Sequence, residues 1–230
     1  MSQPLPPPSD EPSATPDDAP AEVYTGPGRR AVISREDLIQ AAMKLVGPNR
    51  SVSTLSLREV AREAGIAPNS FYRHFRDTDE LAIALIDLAG SSLRQIIGEV
   101  RRRANRESSV TRLSVEVFME QLTADEGYLS LLLREGPVGS AAFKEVVERQ
   151  LHYFEEELTD DLVRLSALHG SSLFEPRLAA KAITRLVFAM GATALDIPRE
   201  RHSEVIDQTA TMVRMILVGA ETMVQRKDRD

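Results

Sequence analysis

The sequence predicts an all-α protein. Three observations lead there: apolar residues recur at helical spacing from Ser34 onward, capping and stop residues bound those runs, and no stretch sustains strand alternation between turn signals. Ser34 with Asp37 makes an approximate capping box, and Leu38, Ala41, Ala42 and Leu45 follow on one face until Gly47-Pro48 stops the helix. Ser56 with Glu59 is a full Ser-x-x-Glu box. Leu57, Val60, Ala61 and Ala64 form the apolar face behind it, and Gly65 ends the helix. A short third helix is expected from about Pro68 to His74, with Phe71 inward and Phe75 closing it. Asp77 with Glu80 then caps a long fourth helix carrying Leu81, Leu85, Leu88, Ile96 and Val100.

Beyond Arg103, helices are expected at 109–123, 126–135, 139–167, 176–194 and 203–226. The breaks between them fall at Gly136-Pro137, His169-Gly170 and Pro198. Pro176 suits a first helical turn, where its missing amide hydrogen costs little.

Composition narrows the class. The chain has 230 residues, 42% of them apolar, which is enough for a large helical unit or for a small domain joined to a larger one. No unbroken run of apolar residues has membrane-spanning length, and no basic segment followed by an apolar stretch opens the chain. Cysteine is absent, which excludes disulfides, thiolate metal sites and cysteine nucleophiles. A cytoplasmic protein without membrane association is the expectation.

The net charge of -7 is unevenly distributed. Residues 1–24 contribute -5, residues 25–103 contribute +4 and residues 104–230 contribute -6. A basic segment on an acidic body suits phosphate binding at one end, although uneven solvated charge gives the same pattern. The first 24 residues also hold seven of the thirteen prolines, so the N-terminal segment reads as a disordered Pro-rich acidic tail.

Two short helices around a glycine turn, SLREVAREAG then IAPNSFYRHF, have the length and punctuation of a helix-turn-helix. Val60, Ala61 and Ala64 are small enough for a close helix crossing, with Leu57, Ile66 and Phe71 as the wedge beneath. Asn69, Ser70, Tyr72, Arg73 and His74 remain on the outer face, and all can hydrogen-bond. Asn can read adenine, and Arg can read guanine or hold a phosphate. On spacing alone, an ordinary structural hairpin is an equal reading.

The wording LSLREVAREAGIAPNSFYRHFRDTDEL resembles the DNA-binding signature of TetR-family repressors, whose short second helix ends in an aromatic–Tyr–x–His–Phe pattern. Here that pattern is Phe71, Tyr72, Arg73, His74 and Phe75. The chain is further similar to FabR/DesT-type repressors of unsaturated fatty-acid biosynthesis at SLRQII (92–97), SLLLRE (130–135), SAAF (140–143) and ALD (194–196). The resemblance covers about residues 30–220. It implies a TetR-like all-α fold. A disordered tail (1–27) would precede a three-helix DNA-binding domain at 28–88 with its helix-turn-helix at 56–75. A larger helical ligand-binding and dimerisation domain would follow at 89–226.

It also implies roles. Arg58, Asn69, Ser70, Tyr72, Arg73, His74 and Arg76 would contact DNA. Family members commonly cap the recognition helix with Ser or Thr and carry a phosphate-binding Lys early in the fourth helix. This chain has Ala67-Pro68 and Thr78 there, so phosphate grip would lean on Arg29, Arg30, Arg35, Arg73 and Arg76.

Among the bulky apolar residues of the C-terminal helices, Phe118, Met119, Leu122, Tyr128, Leu132, Phe143, Phe154 and Phe188 are candidates for lining an apolar ligand cavity. Arg134 and Glu135 are candidates to orient a polar group beside it. For any one of these residues, plain core packing is the competing reading. The implied partners are double-stranded operator DNA, a long-chain acyl-CoA or acyl carrier protein thioester, and a second copy of the chain. The homodimer would form through Ala179, Ala182, Ile183, Leu186, Ala189, Met190 and Ala194 on one helix and Val205, Thr209, Met212, Met215, Ile216 and Val218 on the next. An enzyme, a cofactor and a metal are not expected: no phosphate-binding glycine loop or HExxH occurs, and His74, His152, His169 and His202 lack ligand spacing. The acids Glu155–Glu157, Asp160 and Asp161 read as a solvated helix face. Competing functions are a regulator of efflux or catabolism sensing another apolar ligand, and an acyl-binding carrier or hydrolase without a DNA role.

Overall fold

The computed structural model describes residues 33–46, 50–103, 110–124, 127–138 and 140–227. The Pro-rich tail, Arg29, Arg30 and the Gly47-Pro48 stop lie outside the described residues. Within them the chain is all-α: α1 (Arg35–Val46), α2 (Leu57–Glu63), α3 (Pro68–Phe71), α4 (Thr78–Arg103), α5 (Val110–Glu120), α6 (Tyr128–Val138), α7 (Ala141–Leu168), α8 (Pro176–Leu195) and α9 (His202–Lys227). Short 3-10 turns at Val52–Thr54 and Arg199–Arg201 complete the order.

The local chemistry of the sequence sets these boundaries. Asp37 N–H donates to Ser34 Oγ, and the Asp37 carboxylate accepts from Ser34 N–H, closing the first box. The second is complete at Ser56 and Glu59. Gly65 takes φ +69, which lets Ile66 N–H reach Ala61 O and Gly65 N–H reach Arg62 O in a Schellman ending. Gly170 does the same after α7, at φ +67.

Two boundaries and one set of inward positions differ from expectation. The third helix is regular only to Phe71, because Arg73 and His74 bond three residues back and tighten the chain into turns. Helix α6 runs through Gly136-Pro137, since a proline in a last turn forfeits a single backbone bond. On α4 the inward positions are Leu81, Leu85, Ala89, Leu93 and Ile97, while Ile96 and Val100 are half-buried.

Helix α4 is the spine. Its N-terminal half packs on α1, and further along it meets α5, α6 and α7. One continuous apolar core runs from Leu38 through Phe71, Leu85 and Phe118 to Val205, so the helix-turn-helix and the body share it. By length and composition, Thr78–Arg102 and Pro176–Leu195 would be apolar enough to cross a membrane, each with a mean hydropathy of 1.4. A few interspersed polar residues hide this from a search for unbroken apolar runs. Both are packed on other helices here, but only a third of the α8 window is buried.

The acidic stretch of α7 is a solvated face only in part: Glu156, Glu157 and Asp160 are exposed, whereas Glu155 is buried and Asp161 half-buried. Glu155 accepts from Arg185, Glu157 from Arg94, and Asp161 from both Arg101 and Arg164. No cluster of His and carboxylates suited to a metal ion occurs among the described residues.

Candidate nucleic-acid interface and apolar cavity

The helix-turn-helix is built on two small, fully buried side chains and two rings. Val60 and Ala61 of α2 are completely buried, as is Phe71, and Phe75 packs against Phe71 with ring centroids 5.6 Å apart. Pro68 opens α3 at its first position behind Ala67, which makes no side-chain cap bond. Tyr72 stands edge-on to Phe71 and is 60% exposed. Arg58, Asn69, Arg73 and Arg76 are exposed, and Ser70 and His74 are half-buried. Six side chains able to donate hydrogen bonds thus follow one another from Asn69 to Arg76, interrupted only by the two buried rings.

Arg58 and Arg73 make no ion pair among the described residues. Arg76 meets Asp77 at 3.2 Å on the surface, a pair of the kind worth roughly 0–1 kcal/mol, so its charge stays available. Arg35 lies instead with its guanidinium 4.6 Å from the centre of the Phe75 ring, anchoring α1 to the motif.

The motif is tied to the body by polar contacts that sequence reasoning placed elsewhere. Arg134 and Glu135, expected beside the cavity, face the Val52–Thr54 turn. Val52 N–H donates to Glu135 Oε1 at 3.0 Å, and Arg134 Nη1 donates to Arg50 O at 3.3 Å. Burial at this contact pushes the Arg134 guanidinium below its usual range, and the neighbouring Glu135 charge opposes that. Arg50 in turn reaches Thr54 and the Glu59 carboxylate of the α2 capping box. The Arg50 hydrogen bond, followed by those from Ser56, holds the Glu59 carboxyl down to about 2. Arg50 falls between two predicted helices and carried no pattern that marked it.

An apolar cavity of about 330 Å³ lies in the body among α4, α5, α7, α8 and α9. Phe118, Phe154 and Phe188 line it, their rings in edge contact at 5.2 and 5.3 Å. The other predicted lining residues sit elsewhere. Met119, Leu122, Leu132 and Phe143 are buried in the common core, where side chains of α5, α6 and α7 close on one another. Tyr128 lines a separate, more polar pocket with Gln95, Ile96 and Glu99. The polar side of the main cavity is Arg101, Ser114, Thr184, His169 and Glu221. Arg101 was hidden in the run Arg101–Arg103, which reads as solvated basic charge. A signal was available, since Arg101 keeps helical register with the buried Leu93 and Ile97.

The expected dimer face divides in two. Ala179, Ile183, Ala194, Val205 and Thr209 turn into the chain's own core. Ala182, Ala189, Met215 and Val218 are exposed, joined by Leu178, Leu195 and Met223. Met215 is 68% and Leu178 63% exposed, large values for apolar side chains on packed helices.

Residues 38–85 match the family described as bacterial regulatory proteins, tetR family. That span runs from the first buried residue of α1 into α4 and contains the whole helix-turn-helix. Solved structures share the fold. A transcriptional regulator from Pseudomonas aeruginosa PAO1 is 16% identical, with 84% of this chain and 92% of that chain covered at a TM-score of 0.62. A transcriptional regulator from Rhodococcus sp. RHA1 is 20% identical over 82% and 98% of the two chains, also at 0.62. The regulator FadR from Bacillus subtilis, solved with stearoyl-CoA, is 15% identical over 81% and 99% at 0.62. Residues 38–85, which carry the helix-turn-helix, thus match the tetR family, and the chain shares the fold of these solved transcriptional regulators.

Proposed function

We propose that the chain is a cytoplasmic homodimeric repressor of fatty-acid (unsaturated lipid) biosynthesis genes, controlled by long-chain acyl-CoA or acyl carrier protein thioesters. In this reading residues 28–88 bind operator DNA, and residues 89–226 bind ligand and pair two copies. The observation that carries it is the course of α4, which begins beside the helix-turn-helix and ends in the cavity wall at Ile97 and Arg101. A ligand that moves the cavity end of this helix moves the recognition helices of a dimer relative to successive major grooves. The stearoyl-CoA complex of the Bacillus subtilis FadR supports an acyl ligand. The exposed apolar side chains of α8 and α9 support a second copy as the partner of that face.

The cavity volume favours a second reading for the ligand alone. At about 330 Å³ it lies near the lower end of small-molecule sites, which suits a compact apolar compound and hence a regulator of efflux or catabolism. Fluorescence anisotropy with labelled operator fragments separates the readings. Saturating acyl-CoA is expected to change operator affinity by about five- to 150-fold, the range of ordinary allosteric coupling. A change under about twofold, below ~0.4 kcal/mol, removes the acyl assignment and leaves the regulator. Absence of binding to any genomic fragment removes the repressor reading.

A further inference from the structure

Two polar atoms on the cavity wall are buried and have no hydrogen-bond partner among the described residues: Arg101 Nη2 and Ser114 Oγ. Arg101 is 94% buried, being only 6% exposed. Its Nε donates to Asp161 Oδ2 at 2.5 Å, and its backbone oxygen accepts from Arg164, so the side chain is held at one edge and open at the other. Asp161 has a second cation, Arg164 at 2.9 Å. Glu221, the other carboxylate on this wall, accepts from the Ser171 hydroxyl. Both of these acids are therefore engaged, and the guanidinium retains an unbonded donor at the wall of a largely apolar cavity. Buried donors are nearly always paired in folded proteins, and an unpaired one beside a ligand-sized cavity marks where an acceptor belongs.

We infer that Arg101 and Ser114 form the polar pole of the ligand site and hold the acyl oxygen of an apolar ligand, whether carboxylate or thioester carbonyl. The apolar tail lies against Phe118, Phe154 and Phe188. Arg101 Nη2 donates to the oxygen and Ser114 Oγ donates a second bond, so acceptor-headed ligands are selected over donor-headed ones of equal length. This rests on the reading of the cavity as the effector site.

The test uses the full-length dimer and three probes of one chain length: dodecanoate, dodecanoyl-CoA and dodecylamine. Affinity is read by calorimetry. Dodecanoate or dodecanoyl-CoA binds at least about tenfold tighter than the amine, which offers no acceptor and places a cation against Arg101. The comparison of the acid with the thioester identifies which source of acyl oxygen the site takes. Arg101→Lys keeps the charge that pairs with Asp161 but removes the forked second donor. It lowers affinity for the preferred acyl probe about tenfold and leaves the amine unchanged, and Ser114→Ala gives a smaller loss in the same direction. Thermal unfolding of both variants confirms an intact fold. Equal binding of all three probes, or an Arg101→Lys variant that binds the acyl probes like the parent, overturns the polar pole while the effector site stands. If no probe binds the parent, the effector reading falls and this inference with it.

Discussion

A methyl group added at Gly90 tests whether α4 is gripped where this structure places the grip. Gly90 lies midway along α4, between the helix-turn-helix and the cavity, and a Cβ there would come within 2.5 Å of Gln150 Cδ and 2.6 Å of its Cγ. Gln150 has no easy retreat. It is 3% exposed, its amide donates to Asp87 at 2.6 Å, and its carbonyl oxygen accepts from Arg94. In an unencumbered helix, Gly→Ala stabilises by about 1 kcal/mol. Here overpacking costs about 1–3 kcal/mol, and breaking buried hydrogen bonds costs about 1–3 kcal/mol more. Gly90→Ala is thus expected to destabilise by about 2–4 kcal/mol, lowering Tm by roughly 5–15 °C for a chain of this size. Combining it with Gln150→Ala removes the obstacle and recovers part of the loss, with a coupling energy of about 1–3 kcal/mol. Circular dichroism melts of the parent, both single variants and the double variant, at one protein concentration, measure the cycle. A Gly90→Ala protein as stable as the parent, or strict additivity in the double variant, refutes the α4–α7 contact described here.

Three other predictions follow from the same geometry. Tyr72→Ala and Arg73→Ala each weaken operator binding by about 1–3 kcal/mol per subunit with an unchanged melting curve, since both side chains point away from the packed face; anisotropy titrations beside thermal melts check this. Glu59 stabilises the fold through a carboxyl held at about 2 rather than 4.5, so its contribution is complete above pH 4.5 and disappears as the pH falls towards 2. Melts across that window should show a decline that Glu59→Gln flattens. Met215→Asp places a charge on the exposed α9 face and, if that face pairs two copies as proposed, should dissociate them without loss of helicity; sedimentation velocity and far-ultraviolet dichroism read the two separately.

The sequence made most of the fold legible because its boundaries are local. Ser34, Ser56 and Asp77 each cap a helix start, and Gly65 and Gly170 end helices by adopting φ values that side chains resist. The helix-turn-helix was equally readable, since its small residues, wedge and outward polar face all lie within about twenty consecutive positions. The cavity was not. Phe118, Phe154 and Phe188 line it while Met119, Leu132 and Phe143 do not, and nothing in hydropathy separates them. What decides is which way adjacent helices splay, a property of pairs of helices far apart in sequence. Arg134 misled for a related reason. A charge ending an apolar helix suggests a ligand contact, but α6 ends against the Val52–Thr54 turn, where Arg134 bonds Arg50, 84 residues earlier in the chain.

Those contacts give the body two separate holds on the helix-turn-helix. One is apolar and continuous, through Phe75 and, at the head of α4, Leu81 and Leu85. The other is polar and discrete: Glu135 to Val52, Arg134 to Arg50, and Arg50 to the carboxylate that caps α2. A shift of α4 alone would shear the second hold, because Val52 N–H and Glu135 Oε1 are buried and cannot exchange their bond for water without cost. The low-energy motions are therefore those in which α4 and α6 move together, carrying α2 and α3 as one piece. In the ligand-controlled dimer proposed above, a ligand pressing on α4 near Ile97 would be resisted by a rigid assembly rather than absorbed by a loose hinge. Rigid coupling of this kind would convert a displacement in the cavity wall into a change of spacing between the two recognition helices.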